Sequence, residues 1–191
     1  MKSESEAPWA EVVPGAPFPM TSEELSRWPD DEWQYELIAG RLVRMSPTSD
    51  EHFYVMDNLH PVLRAFVKAH RLGIVTYPDT GFAVSMADGT ETVFAPDIAF
   101  VAAGQVPPRR GKFLPVTPAL AIEVASPSQY HPEMASKARL YLQLGVRLVW
   151  IVWPNTRAVD VWLPGEDTPT QTLGATDELD GLTVVPGFRL A

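Results

Sequence analysis

A short apolar run in this sequence carries a single carboxylate. Residues 118–128 read PALAIEVASPS, with Pro118 and Pro127 near the two ends and Glu123 in the middle. An apolar run of this length, bracketed by prolines, is typical of a buried strand. A buried ionised carboxylate loses several kcal/mol of hydration unless a charged or hydrogen-bonding group contacts it. The fold must therefore supply a partner for Glu123.

A second acid lies in the preceding apolar segment, TVFAPDIAFVA, where Asp97 follows Pro96. Two buried acids close together would repel each other, and the pKa of one would rise sharply. A shared divalent ion would remove both difficulties, because Mg²⁺ binds one or two carboxylates and keeps room for water and phosphate. Neighbouring strands lie about 4.8 Å apart, so Asp97 and Glu123 could reach one ion.

The segment HPEMASKARLYLQLG, which follows Glu123, is predicted to be a helix with Glu133, Lys137 and Tyr141 on one face, since each lies four residues from the next. A lysine beside a carboxylate-bound metal could orient or deprotonate an attacking water and stabilise charge on a phosphate. The alternative is an exposed Glu133–Lys137 pair worth ~0.5 kcal/mol, with Tyr141 packing at the edge. Taken alone, the helix face favours this alternative.

The order of the remaining patterns predicts a mixed α/β domain with helices packed on a central sheet. Helices are expected from a capping box at Thr21 and Glu24, and over residues 49–70 with Pro61 inside. A hairpin is expected at Ala39-Gly40. Residues 1–19 are rich in proline and are predicted to be a flexible arm, with a single domain over 20–191. The tail from 177 is expected to close the sheet with one short strand.

The composition limits the classes of partner. The net charge is −9, and only residues 64–71 (RAFVKAHR) and 107–112 (PPRRGK) are locally basic. Nucleic-acid binders usually carry a basic patch, so this charge argues mildly against a nucleic-acid substrate. The chain has no cysteine, which excludes disulfides and thiolate metal sites and fits a cytoplasmic protein. The longest apolar run has six residues, Leu148 to Trp153, which is too short to span a membrane.

The motifs, taken in order, resemble those of a known group of enzymes. The pattern consists of PD at 96–97, EVASPS at 123–128, the spaced residues Glu133, Lys137 and Tyr141, and GV at 145–146. It resembles the PD-(D/E)XK nuclease superfamily and, more narrowly, a bacterial family of restriction endonucleases that is abundant in cyanobacteria and was formerly a domain of unknown function. The segment YELIAGRLVRMSP, followed by His52, is similar to the N-terminal part of that family. The resemblance covers about residues 20–190.

The resemblance implies a role for each matching residue. Asp97 and Glu123 would be metal ligands, and Lys137 would be the catalytic lysine. Glu36 matches an acid that the family places near the metal, and Glu133 stands where the family usually has aspartate. The superfamily name calls for a lysine two residues after the second acid, but position 125 is alanine; in this family the lysine lies on the following helix. All four histidines, His52 included, are expected to be surface or capping residues.

The resemblance also implies a function. The expected fold is restriction-endonuclease-like, with a mixed sheet flanked by helices and an N-terminal helix and hairpin. The expected activity is hydrolysis of phosphodiester bonds in DNA by a homodimer that uses Mg²⁺ or Mn²⁺. Two alternatives stay open. One is a nuclease-fold binding or regulatory module with weak or no catalysis, and the other is a hydrolase that uses the carboxylate pair on a substrate such as a sugar.

Overall fold

The computed structural model describes residues 8–45, 50–78, 80–108, 111–127 and 129–191. Within these ranges the helices are α1 (Ser22–Ser26), α2 (Asp50–Ala69) and α3 (His131–Gln143). The strands are β1 (Glu11–Val12), β2 (Gln34–Ile38), β3 (Arg41–Met45), β4 (Gly73–Thr76), β5 (Phe82–Ser85), β6 (Glu91–Phe94), β7 (Ile98–Ala102), β8 (Leu120–Val124), β9 (Leu148–Trp153), β10 (Ala158–Trp162), β11 (Gln171–Leu173), β12 (Leu179–Asp180) and β13 (Arg189–Leu190).

The strands form two main sheets. One has six strands in the order β11-β10-β9-β8-β7-β4, and the other has five in the order β1-β3-β2-β6-β5. The pairing of β8 with β9 is parallel, because α3 carries the chain back across the sheet between them. The other pairings within the two sheets are antiparallel. The predicted mixed α/β class is confirmed, with the strands divided between two sheets.

Helices α2 and α3 cover opposite faces of the six-stranded sheet. Successive side chains of a strand point to opposite faces, and β8 shows this alternation clearly. Leu120, Ile122 and Val124 belong to the core that includes buried residues of α2. Ala121 belongs to the core that includes buried residues of α3. Glu123 has the same parity as Ala121, so its side chain points towards α3.

Two local predictions near the N-terminus are confirmed. The capping box is present at the start of α1, with Thr21 and Glu24 each accepting from the other's backbone N–H. Strands β2 and β3 form the expected hairpin. Its turn residues, Ala39 and Gly40, have φ values of 48° and 76°, as a two-residue turn of this twist requires. Pro61 lies inside α2, as expected.

The prediction of a flexible arm is wrong for residues 8–19, whereas residues 1–7 lie outside the described part of the chain. Strand β1 pairs with β3, and Arg44 forms a salt bridge with Glu11. Trp9 is buried against Ile38 and Val43. Proline content suggested disorder, but one large indole and one cross-strand ion pair anchor this segment to the hairpin.

The prediction for the C-terminal tail is also wrong. Strands β12 and β13 pair with each other in a separate two-stranded sheet and do not extend a main sheet. The turn between them buries Val184, Val185 and Phe188 in the α2-side core, so packing holds the tail without a place in the larger sheet. No helix in the described ranges is long and apolar enough to cross a membrane.

Candidate active site

The partners of Glu123 come from α3. Glu123 lies on β8 between β7 and β9 and is only 4% exposed. The Lys137 ammonium donates to Glu123 Oε2 at 2.8 Å, and the Tyr141 hydroxyl donates to Glu123 Oε1 at 2.5 Å. Lys137 and Tyr141 are themselves buried. The alternative of an exposed Glu133–Lys137 pair with Tyr141 as edge packing is therefore wrong.

Burial and charge shift the pKa values of this trio. Burial raises the pKa of Glu123 to about 7, although the positive charge of Lys137 opposes the shift. Burial alone would lower the pKa of Lys137, but the neighbouring carboxylates, Glu123 above all, raise it beyond its ordinary value. Burial and the charge of Glu123 also raise the pKa of Tyr141. Lys137 therefore remains an ammonium group, which can donate hydrogen bonds but cannot accept a proton.

Asp97 lies opposite Glu123 on the neighbouring strand. Ile98 pairs with Ile122 in the antiparallel register, so the next positions along are Asp97 and Glu123. The main-chain N–H of Val124 donates to Asp97 Oδ2 at 2.7 Å. This bond fixes the carboxylate of Asp97 beside the end of β8. The structure therefore brings both predicted acids together at the same end of the neighbouring strands β7 and β8.

His52, near the start of α2, contacts the other oxygen of Asp97. Its Nε2 lies 2.9 Å from Asp97 Oδ1. Burial alone would lower the pKa of His52, but Asp97 raises it above the usual value. His52 and His60 are buried, so the prediction of surface or capping histidines is wrong for these two. The only sequence signal for His52 was its place after the hairpin in the family resemblance.

Glu36, on β2 of the five-stranded sheet, brings a third carboxylate. It is 4% exposed, and its Oε1 accepts from the Ala95 N–H at 2.9 Å. Its Oε2 is buried and has no hydrogen-bond partner among the described residues. Glu133 lies in the first turn of α3, and its carboxylate raises the pKa of Tyr130.

These groups share a cavity of about 910 Å³, which both main sheets, α2 and α3 border. Its lining includes five of the six predicted site residues and His52: Glu36, His52, Asp97, Glu123, Glu133 and Lys137. Tyr141 lies behind Glu123. In the ranges that the structure describes, no three Asp, Glu, His or Cys side chains are gathered as a ready-made metal-binding group.

A family described as "Uma2: Putative restriction endonuclease" matches residues 22–191. The chain belongs to this family. A crystal structure titled as a "putative nuclease belonging to DUF820" from Anabaena variabilis superposes with a TM-score of 0.74 at 18% identity, covering 91% of this chain and 95% of the other. No curated protein matches. The Uma2 match supports a nuclease-type activity and contact with nucleic acid, and the superposition shows a shared fold.

Proposed function

We propose that this Uma2-family chain is a metal-dependent endonuclease that hydrolyses phosphodiester bonds in DNA. The observation that carries the proposal is the buried Lys137–Glu123 pair with Asp97 opposite it in one cavity. Burying an ion pair is expensive, and an apolar trio of similar volume is often as stable or more stable. A charged cluster held beside an open cavity therefore favours a chemical role over a purely structural one.

The donor groups fit a hard divalent cation. Asp97, Glu123 and Glu36 offer carboxylate oxygens, which Mg²⁺ and Mn²⁺ prefer. The buried, unpaired Oε2 of Glu36 is the kind of atom that a cation would satisfy. Oxygens that already accept one hydrogen bond keep a second lone pair. The bound ion would act as a Lewis acid on the phosphate and would lower the pKa of the attacking water.

The protein's own groups would position the reactants. The ammonium of Lys137 would orient the water and stabilise negative charge that builds on the phosphate oxygens. Tyr141 holds the second oxygen of Glu123 and thereby fixes the direction of that carboxylate. The Val124 N–H and His52 contact the two oxygens of Asp97. Since each acid is held by neighbours, little reorganisation would be needed during the reaction.

The assignment to DNA and to a homodimer comes from the family resemblance. Because cutting both strands of a duplex requires two attacks, two copies of the chain would each supply one site. A pair of oppositely oriented sites is the arrangement that a two-fold symmetric dimer provides. We therefore propose a homodimer as the unit that cleaves a duplex.

The decisive test is cleavage of plasmid and oligonucleotide DNA with Mg²⁺ or Mn²⁺. We expect cleavage by the wild type, loss with EDTA, and at least a hundredfold loss in Asp97→Ala and Lys137→Met. Arg139→Met is the matched control, because Arg139 lies on the same helix and contacts the Asp167 carbonyl outside this cavity. Cleavage that survives both site substitutions, or that ignores EDTA, would overturn the mechanism.

A non-catalytic binding module is the second candidate. It is favoured by one observation: the chain's own Lys137 and Tyr141 already occupy both oxygens of Glu123. Pure wild type that binds DNA but cleaves neither DNA nor RNA with either metal would establish this alternative.

A further inference from the structure

The described residues that line the cavity carry a strongly negative charge. Among them, seven carboxylates face two lysines: Asp30, Asp31, Glu32, Glu36, Asp97, Glu123 and Glu133 against Lys112 and Lys137. Lys137 is already paired with Glu123, so Lys112 is the remaining lysine of the lining. A DNA duplex carries one phosphate charge per about 1.7 Å of its axis. Inside the cavity these carboxylates would repel the continuous phosphate track of a duplex, so a duplex held by the proposed dimer would have to deliver a single nucleotide into each site.

The same lining presents a set of aromatic rings, which we call the aromatic wall: Trp28, Trp33, Tyr35 and Phe113. All four are half-buried, so part of each ring is available to a ligand. Trp28 and Tyr35 meet edge to face with centroids 6.1 Å apart. The guanidinium of Arg44 lies 4.5 Å from the Trp33 ring centroid, which restrains that ring. Nucleic-acid bases stack on such rings for ~1–3 kcal/mol each.

The acidic loop of residues 30–32 places carboxylates, which accept hydrogen bonds, beside the aromatic wall. Asp31 accepts from the Trp33 N–H and from the Tyr35 hydroxyl, both at 2.9 Å, and so holds two members of the wall. Asp30 and Glu32 are exposed, and a carboxylate can accept from a base amino group such as that of cytosine. These acids suit the edge of a base and repel phosphate.

Two buried groups of the lining also lack partners. Glu36 Oε2 and Trp9 Nε1 have no hydrogen-bond partner among the described residues, and both side chains are more than nine-tenths buried. Unpaired groups of this kind normally mark a missing ligand, ion or water. Both residues line the cavity that also holds the aromatic wall, so their polar atoms are candidates for contact with a ligand or water in that cavity.

From charge, rings and shape together, we infer that the cavity binds an unpaired nucleotide, in a single strand or turned out of a duplex. Its base would lie against the aromatic wall and its phosphate beside Asp97 and Glu123. The inference rests on the proposed nuclease function and names its substrate class. The volume of about 910 Å³ is that of a pocket for a small molecule, ~300–1,000 Å³. A stacked base pair cannot present its base faces to such a pocket.

The test is binding without cleavage. Ca²⁺ replaces Mg²⁺, and the fluorescence anisotropy of a labelled single-stranded oligonucleotide is compared with that of its blunt duplex. We expect the single strand to bind at least tenfold more tightly. Trp33→Ala and Trp28→Ala should each lose about tenfold in single-strand affinity, as one stacked base predicts. Tyr77→Ala is the control, because Tyr77 is a 59% exposed aromatic residue outside the cavity.

A second pair of variants tests the charge argument. The double variant Asp30→Asn with Glu32→Gln should raise duplex affinity several-fold at low salt, with a smaller change for the single strand. Glu166→Gln, an exposed carboxylate outside the cavity, should change neither. Duplex binding as tight as single-strand binding would overturn the inference, as would wild-type affinity in both tryptophan variants. Because binding is measured apart from cleavage, an inactive protein that still selects the single strand would refute only the nuclease proposal.

Discussion

Substitution of Lys137 by methionine tests the energetics of the site independently of any substrate. Methionine keeps the length and apolar volume of the side chain but removes the charge. In the wild type the ammonium lies 2.8 Å from Glu123 Oε2, and both residues are at most 5% exposed. The substitution therefore leaves one carboxylate in a buried position, where the Tyr141 hydroxyl is its one remaining side-chain donor among the described residues.

The magnitude follows from two opposing contributions. At an effective dielectric constant of 20, charges 2.8 Å apart attract by ~6 kcal/mol. The dehydration of each ion costs several kcal/mol, so the net gain of the intact pair is small. Removal of one partner leaves the dehydration of the other uncompensated, and measured losses of this type are ~3–5 kcal/mol. We expect Lys137→Met to lower the free energy of unfolding by that amount at pH 8.

The loss should depend on pH in a definite direction. The pKa of Glu123 is raised from 4.5 to about 7 in the folded wild type, and loss of Lys137 raises it further. At pH 5 the Glu123 carboxyl of the folded variant is protonated, so no charge is buried. At pH 8 the carboxyl is ionised in the unfolded chain, and folding must either bury that charge or protonate the group, both of which cost free energy. Each unit of pKa difference corresponds to 1.36 kcal/mol. The destabilisation should therefore shrink markedly between pH 8 and pH 5.

Urea unfolding at pH 8 and pH 5, followed by far-UV circular dichroism, measures both quantities. The double variant Lys137→Met with Glu123→Leu should recover most of the loss, because it removes the orphaned charge. Arg139→Met serves as the control on the same helix. A loss below 0.5 kcal/mol at pH 8, typical of surface substitutions, or a loss that grows towards pH 5, would refute this reasoning.

Three further predictions concern other parts of the fold. Burial lowers the pKa of His60, so wild-type stability should fall as pH drops below 6.5; His60→Gln should show a smaller fall in thermal melts. Asp160 accepts from the buried Trp153 indole at 2.7 Å, and Asp160→Ala should cost ~1–3 kcal/mol in urea unfolding. Gly40 has φ +76°, and an added Cβ would lie 2.8 Å from Pro19 Cβ; Gly40→Ala should therefore cost more than ~1 kcal/mol in the same assay.

Features fixed by neighbours in the sequence could be predicted well. The hairpin at Ala39-Gly40 and the capping box at Thr21 depend on a few adjacent residues. The four-residue spacing of α3 placed Lys137 and Tyr141 on one face, and the structure shows that both contact Glu123. The metal-ligand and catalytic roles of these residues stay predictions that the cleavage experiment tests.

Features that depend on distant contacts could not be predicted. Strand β1 has two residues, too few to give a pattern, and it is held by Trp9 and by the Glu11–Arg44 pair. His52 meets Asp97 across 45 positions of sequence, and a lone histidine on a helix gives no sign of such a partner. Three residues of the aromatic wall, Trp28, Trp33 and Tyr35, lie within eight positions of the sequence, but nothing in that spacing shows that Phe113 joins them or that they line the same cavity as Asp97 and Glu123.

The backbone contacts of two site acids suggest which residues this family would keep if it lost its activity during evolution. Asp97 and Glu36 each accept from a main-chain N–H, of Val124 and Ala95 respectively, and losing either would leave a largely buried amide unpaired. Selection for folding alone would therefore keep these two acids. Glu123 and Lys137 are different, because an apolar replacement of a buried ion pair is often harmless or stabilising. A family member that lost catalytic activity would therefore lose Lys137 and Glu123 first. Its PD motif would remain, because Asp97 is also needed for folding.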